Sequence, residues 1–386
     1  MLEDSRKCCG CSACIHICPK NSISFQEDKE GFLYPTVDLE TCVKCGLCEK
    51  VCPVINQDSA SEALQVFAAR NNDENIRLKS SSGGLFTLLA ESIIDEGGVV
   101  FGARFNENWG VVHDYTETKE GLEPFRGSKY VQSNLLESYK RVEAFLKTGR
   151  KVMFTGTPCQ IAGLRKYLRK EYDNLLAVDI ICHGVPSPLV WRRYLEEKTA
   201  VHGGVVPVLT GVSFRDKSVG WKKFSFTLKF FHESDNGESE TIQSSIFQYD
   251  DYMRAFLSNL SLRPSCYDCQ AKSGKSGADI TIGDFWGIEN ILPQLDDDKG
   301  LNLVVVNSTK GLKFLSTLTT ELVPVGFKEA VKSNCAYNES VLRPVNREYF
   351  FHCIDKGHKV QGAFNACESM NMLYRVRRLL YRKFGI

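Results

Sequence analysis

Eight cysteines near the N-terminus fall into two matching patterns: Cys8, Cys11, Cys14 and Cys18 followed by Pro19, then Cys42, Cys45, Cys48 and Cys52 followed by Pro53. Each reads C-x2-C-x2-C-x3-C-P. Two residues between successive cysteines let a tight turn aim their sulfurs at one inorganic centre, and the proline stops the helix that would otherwise bury the fourth. With this spacing, three thiolates of one run hold a [4Fe-4S] cluster and the fourth reaches across to another. The rule assigns Cys8, Cys11, Cys14 and Cys52 to one cluster, and Cys42, Cys45, Cys48 and Cys18 to its partner. A zinc ribbon would use paired C-x2-C units carrying four ligands in total, and a disulfide framework would suit a small secreted domain. Cys9 lies beside the first run but off its spacing, and reads as a bystander thiol.

Further thiols stand where loops gather. Gly156-Thr157-Pro158-Cys159 follows one strand-like run and Cys182-His183-Gly184 follows the next. If those strands are parallel neighbours, both cysteines emerge at one carboxyl edge of a sheet, where α/β proteins bind ligands. Cys266-Tyr267-Asp268-Cys269 adds a C-x2-C pair. These four thiols make a candidate third metal site, with a zinc site, a Cys-His nucleophile pair and buried structural thiols as the competing readings. Cys335, Cys353 and Cys367 are isolated. The run Lys79-Ser80-Ser81-Ser82-Gly83-Gly84 opens an apolar-striped helix, so its N–H groups offer a phosphate or pyrophosphate site, against the plainer reading of a serine-rich cap. Neither Gly127-Ser128-Lys129 nor Gly274-Lys275-Ser276 completes G-x4-G-K-[ST], which excludes a P-loop.

The elements that position these groups can be read in outline. Ile23 to Val37, around Asp28-Lys29-Glu30-Gly31, predicts a hairpin between the two cysteine runs, and the polar stretch from Asn56 to Glu62 predicts a linker. Beyond it, strands at Ala63–Ala69, Val99–Ala103, Lys151–Thr155 and Leu175–Cys182 alternate with helices at Ser82–Glu96, Leu135–Lys147 and Pro158–Arg169. That alternation predicts α/β architecture. Val205 to Phe231 reads as antiparallel strands, His232 to Glu240 as a polar loop, and strands return at Asp279–Gly283 and Leu303–Asn307. A basic amphipathic helix is expected over Met372–Phe384, packed on its own domain in preference to a membrane.

The chain has 386 residues, 43% of them hydrophobic, enough for two or three domains with proper cores. Its 48 Lys plus Arg nearly balance 47 Asp plus Glu, so no broad basic field exists to drive nucleic-acid binding. No run of apolar residues is long enough for a transmembrane segment, and no apolar stretch precedes a cleavage site. Sixteen cysteines without an export signal point to thiolate–metal chemistry in a reducing, cytoplasmic setting.

Lys79 to Phe86, Gly127 to Ser133, Gly156 to Gln160, Cys182 to Ser187, Leu262 to Cys269 and Ala278 to Gly287 together resemble the family of the coenzyme F420 hydrogenase/dehydrogenase beta subunit, over about Leu64 to Val325. The resemblance implies bound FAD, with Ser81, Ser82, Gly83, Gly84, Ser128, Lys129 and Gln132 as candidate contacts. It also implies a third [4Fe-4S] cluster on Cys159, Cys182, Cys266 and Cys269. His183 and Asp284 lie inside the matched motifs, and Arg215-Asp216-Lys217 with Gly220-Trp221-Lys222 lies nearby, each readable as a cofactor or substrate contact or as a plain turn or hairpin residue. The expected fold is α+β with α/β parts. A two-cluster ferredoxin-like domain (1–56) precedes a flavin-binding α/β domain with a mixed sheet, in an N-terminal part (64–150) and a C-terminal part (151–325), and then a helical extension (326–386). The expected function is an iron–sulfur flavoprotein oxidoreductase acting on an organic substrate or a deazaflavin-type coenzyme, fed by an electron-donor or acceptor protein, with a homo-oligomer allowed. The alternative is a relay subunit that docks to a partner enzyme and has no substrate of its own.

Overall fold

The computed structural model describes residues 2–200, 207–234 and 237–370. The helix expected over Met372–Phe384 lies outside the described residues. In chain order the strands are β1 (Ile23–Glu27), β2 (Leu33–Val37), β3 (Gln65–Ala69), β4 (Val99–Phe105), β5 (Val111–Thr116), β6 (Val152–Gly156), β7 (Leu175–Ile180), β8 (Val208–Asp216), β9 (Ser225–Ser234), β10 (Gly237–Ile246), β11 (Ile280–Asp284), β12 (Asn302–Val306) and β13 (Leu322–Pro324). The helices are α1 (Ala13–His16), α2 (Leu47–Lys50), α3 (Glu74–Lys79), α4 (Leu85–Asp95), α5 (Ser138–Lys147), α6 (Pro158–Leu168), α7 (Pro188–Lys198), α8 (Asp251–Leu257), α9 (Thr309–Leu315), α10 (Phe327–Lys332) and α11 (Arg347–Asp355).

Eight strands form one mixed sheet in the order β13-β3-β12-β11-β7-β6-β4-β5. Its centre is parallel: β4 pairs with β6, β6 with β7, and β7 with β11. The central strands are apolar along nearly their whole length because helices cover both faces, and Val152, Met153, Phe154, Ala177 and Val178 are all fully buried. Strands from 64–150 and from 151–325 share this sheet, so the two parts fold as one unit.

A second sheet, β10-β9-β8, is antiparallel. Here the structure corrects the loop expected over His232–Glu240: β9 continues to Ser234, and β10 starts at Gly237 and pairs with it. The signal was missing because β10 is an edge strand of mostly polar residues with Ile242 exposed, so no apolar alternation marks it. The inner face of this sheet meets an aromatic core built on Trp191, Tyr194, Phe214, Phe226 and Tyr252.

The N-terminal unit is set into that core. Hairpin β1–β2 lies between the cysteine runs, as expected, and Phe32 near its tip is fully buried against Phe351 at a ring distance of 6.5 Å. Burying one phenylalanine contributes roughly 1.5–3 kcal/mol. Phe350, Ile354, Val360 and Phe364 from beyond residue 325 join the same core, so the helical extension clamps hairpin to body.

Candidate metal centres

The parallel pairing of β6 with β7 brings Gly156 level with Asp179, so the loops after the two strands leave one sheet edge. Cys159 follows β6 in the first turn of α6. That helix starts with a capping box: the Gln160 side chain accepts from the Thr157 N–H at 2.9 Å, and Pro158 supplies a preset φ at the first helical position. Cys182 follows β7. Cys266 and Cys269 come from a 3₁₀ turn, Pro264–Asp268, tied to the Cys182 loop by a bridge between Pro186 and Leu262. Cys159, Cys182, Cys266 and Cys269 all line one cavity of about 40 Å³. Burial pushes Cys266 up to about 12 and raises Cys182 and Cys269 as well. The Val185 N–H reaches the Cys266 sulfur at 3.4 Å. Thiols so placed are stable as neutral S–H groups or bound to a cationic centre, which must displace their protons.

The first cysteine run and Cys52 border a second cavity of about 150 Å³, lined by Cys8, Cys9, Cys11, Cys14, Cys48 and Cys52. Burial, then the proximity of Cys8, Cys52 and Cys48, pushes Cys14 up to about 12. Cys52 thus lies on one cavity with Cys8, Cys11 and Cys14, and so does Cys48, which the spacing rule gives to the other cluster. Cys18, Cys42 and Cys45 lie outside it. Against the upward push of burial, backbone N–H groups of Lys20, Ser22 and Ile23 hold Cys18 below its ordinary value. Among the described residues no three His, Cys, Asp or Glu side chains close to the spacing of one bound metal ion.

The two cavities share Cys9. It therefore borders the cysteines of both groups, a placement that its off-spacing position in the sequence does not signal. Close approach is possible because Gly163 of α6 has no Cβ, and one placed there would meet the Cys11 sulfur at 2.9 Å.

The candidate flavin contacts separate into two groups. The Ser128 N–H donates to Ser81 Oγ at 2.6 Å, joining the serine turn to the Gly127–Lys129 segment, and Ser82 Oγ donates to the Leu301 carbonyl at 2.8 Å. Gly83 and Gly84 are buried at the start of α4. A Cβ on Gly83 would lie 2.8 Å from Ala69 O and Asn302 N. Lys129 Nζ donates to the carbonyls of Arg126 and Gly127, and burial pushes its pKa down to about 7. Gln132 instead faces the N-terminal unit, donating to Cys9 O at 3.3 Å and accepting from Arg263 at 2.9 Å. Lys217 joins the serine turn, donating to Ser82 O at 2.6 Å, to Arg77 O and to Lys299 O. Lys217 spends its three N–H donors on those carbonyls, so of the two ammonium groups only Lys129, with two carbonyl partners, keeps a donor for an anion at this turn. Nearby, Asp284 pairs with Arg215 at 2.7 Å and accepts from Trp221 Nε1 at 3.0 Å, and Trp221 stacks on Trp286 at 4.6 Å. His183 hydrogen-bonds Asn259 at 2.7 Å.

His113 of β5 gives a pH prediction. It is buried, its Nε2–H donates to the Thr155 carbonyl at 3.0 Å, and burial pushes its pKa down to about 4. The unfolded chain takes up this proton near pH 6.5. Between pH 6.5 and 4 the unfolded state thus binds more protons, and stability present above 6.5 is lost on acidification, by roughly 3 kcal/mol at full extent. The His113 ring resonances are expected not to titrate between pH 7 and 5; a midpoint near 6.5 by NMR contradicts this.

Residues 7–56 match the 4Fe-4S dicluster domain. Paired clusters of that kind exchange single electrons, and this is an iron–sulfur electron-transfer protein. Residues 66–140 and 149–323 match the N-terminal and C-terminal domains of the coenzyme F420 hydrogenase/dehydrogenase beta subunit. The chain belongs to that family, whose members include redox enzyme subunits. A relative from Methanosarcina mazei, one of the subunits of its F(420)H(2) dehydrogenase, is 26% identical over 189 residues, covering 45% of this chain and 53% of the relative. The coenzyme F420-dependent sulfite reductase of Methanocaldococcus jannaschii is 27% identical over 203 residues, covering 50% and 30%. The chain thus spans about half the length of the first of these relatives, and less of the second. A chain of the F420-reducing [NiFe] hydrogenase complex from Methanosarcina barkeri superimposes with a TM-score of 0.46 at 19% identity, covering 74% of this chain and 98% of that one. No described helix is long and apolar enough to cross a membrane.

Proposed function

We propose that this chain is an FAD- and [4Fe-4S]-dependent oxidoreductase that passes electrons between its N-terminal clusters and FAD, for two-electron chemistry on an organic substrate or deazaflavin-type coenzyme. The observation that carries the reading is the convergence of Cys159, Cys182, Cys266 and Cys269 on a cavity that also borders Cys9, Pro53, Val54 and Asn56 of the dicluster unit. Bound clusters would supply one-electron transfer, and bound FAD the conversion between one- and two-electron steps. Cys8, Cys11, Cys14 and Cys52, with Cys42, Cys45, Cys48 and Cys18, hold the two ferredoxin-type clusters in this reading. The four cysteines of the sheet edge hold the third.

In this reading Ser81, Ser82, Gly83, Gly84, Ser128 and Lys129 bind the flavin's diphosphate end, and Lys217 holds the turn through its carbonyls. Gln132 serves the contact between units. Arg215, held by Asp284 and covered by the Phe224 ring at 4.0 Å, is a fixed positive charge beside the tryptophan pair. The names of the relatives, one a component of a dehydrogenase and the other a reductase, both refer to F420 and support a deazaflavin partner.

The test is anaerobic purification with iron, sulfide and acid-released flavin measured per chain. About twelve irons, four for each of three cubes, and one FAD are expected. Absence of flavin removes FAD from the reading; eight irons remove the third cluster. Turnover of a deazaflavin or other small two-electron acceptor with reduced ferredoxin separates an enzyme from a relay subunit.

A further inference from the structure

We infer that Arg263, together with Gln132 and Cys9, couples the first ferredoxin-type site to the sheet-edge site by fixing their contact. Arg263 acts as a positioning residue for electron transfer between the two. The inference rests on the three-cluster reading above and goes beyond it by naming what sets the separation of two of the centres.

Arg263 is fully buried. Its Nε donates to the Cys8 carbonyl at 2.7 Å, one terminal nitrogen to Gln132 Oε1 at 2.9 Å, and the other to the Leu33 carbonyl at 3.0 Å. The guanidinium lies over the Tyr34 ring at 4.3 Å. It thus touches the first cysteine run and the hairpin of the N-terminal unit at once. Its own backbone belongs to the other site: the Arg263 N–H donates to Val185 O at 3.0 Å in the Cys182 loop, and the Cys266 N–H donates to Arg263 O at 2.9 Å. One residue therefore sets the position of Cys8 relative to Cys266 and to the Cys182 loop.

The geometry around it is consistent with a built contact. Gly10, with φ of +71°, faces the guanidinium, and a Cβ there would stand 2.8 Å from Gln132 Nε2 and 3.1 Å from Arg263 Cζ. Any other residue would be strained in this backbone conformation and would push the fork away. Gln132 closes the arrangement by donating to Cys9 O, and Cys9 presents its thiol between Cys11 and Cys159. Buried polar groups with every acceptor matched hold a rigid distance. The fork also keeps a positive charge between two thiolate-rich centres, which favours the electron-rich state of both. With clusters bound, the step would exchange one electron between the centre nearest Cys11 and the one nearest Cys159, one oxidised and the other reduced by one unit, with no bond or proton moved.

The test uses the full chain, purified and handled without oxygen, in native form and as Arg263→Lys and Cys9→Ala. Lysine keeps the charge but cannot fill three acceptors from one planar fork, and alanine removes the bridging thiol while leaving the fork. The readouts are iron per chain, spin–spin splitting in the EPR spectrum of the reduced protein, and the rate at which sub-stoichiometric dithionite electrons redistribute between centres. Arg263→Lys is expected to keep about twelve irons, weaken the splitting that the third cluster adds to that of the N-terminal pair, and redistribute electrons about tenfold more slowly, the scale on which outer partners of metal sites act. Cys9→Ala, which keeps the fork and so the separation, is expected to keep iron and splitting and to slow redistribution alone. A native rate in Cys9→Ala with full iron removes Cys9 from the coupling, and native splitting and rate in Arg263→Lys with full iron overturn it. A native protein holding only eight irons overturns the three-cluster reading itself, and the inference with it. The iron count and the redistribution rate therefore report the two failures separately.

Discussion

Replacing Cys266 with serine is expected to remove about four of twelve irons while the two N-terminal clusters survive. Cys266 is one of five thiols, Cys9 among them, on a cavity that none of Cys8, Cys11, Cys14 or Cys52 lines, so a loss there is local. Serine is nearly the same size, and its hydroxyl is far less acidic than a thiol, so it does not supply an anionic ligand in a buried setting. The 3₁₀ turn carrying it is held by backbone bonds, Cys266 N–H to Arg263 O and Cys269 N–H to Ser340 Oγ at 2.9 Å, and survives the change. Iron and sulfide assays, with the EPR signature of the remaining pair, check this. Unchanged iron excludes Cys266 as a ligand; loss of all twelve irons shows that the sites do not assemble independently.

Arg347→Met is expected to loosen the N-terminal unit from the body. Arg347 is 1% exposed and donates to both carboxylate oxygens of Glu30, at 2.9 and 2.5 Å, and also to Leu262 O and Tyr267 Oη. Glu30 lies 317 positions away in the hairpin turn, and Leu262 and Tyr267 flank Cys266. Removing one member of a buried pair leaves a charge without compensation and costs roughly 3–5 kcal/mol. Hydrogen exchange at the Phe32 and Leu33 amides should accelerate about a hundredfold or more, the factor that such a cost implies for opening of the hairpin. The double variant with Glu30→Gln should recover part of the loss, because no buried charge is then left unpaired. Equal protection in Arg347→Met and native protein would show that the apolar packing of Phe32 holds the unit alone.

The candidate cluster ligands were legible because ligand spacing is a local property: a turn of two or three residues carries its own geometry, so eight cysteines could be sorted into two runs from order alone. The parallel core was legible too, since strands covered on both faces are continuously apolar, and β6 and β7 differ from their expected bounds by one or two residues. Where local patterning failed, the cause was environment. β10, a polar edge strand, reads as loop until β9 is beside it, and residues 326–370 read as an appendage until Phe350 and Phe364 are seen in the core that holds Phe32.

What sequence determined by itself was therefore the chemistry at hand: thiolates at cluster spacing, an α/β sheet to carry four more, and a serine–glycine turn opening a helix. Only the tertiary structure decided how these meet. Cys9, Arg263, Gln132 and Arg347 carry no spacing signal, because each acts on residues more than a hundred positions away. Contacts at that range are made by folding, when burial removes water and leaves a guanidinium with only protein acceptors to satisfy it.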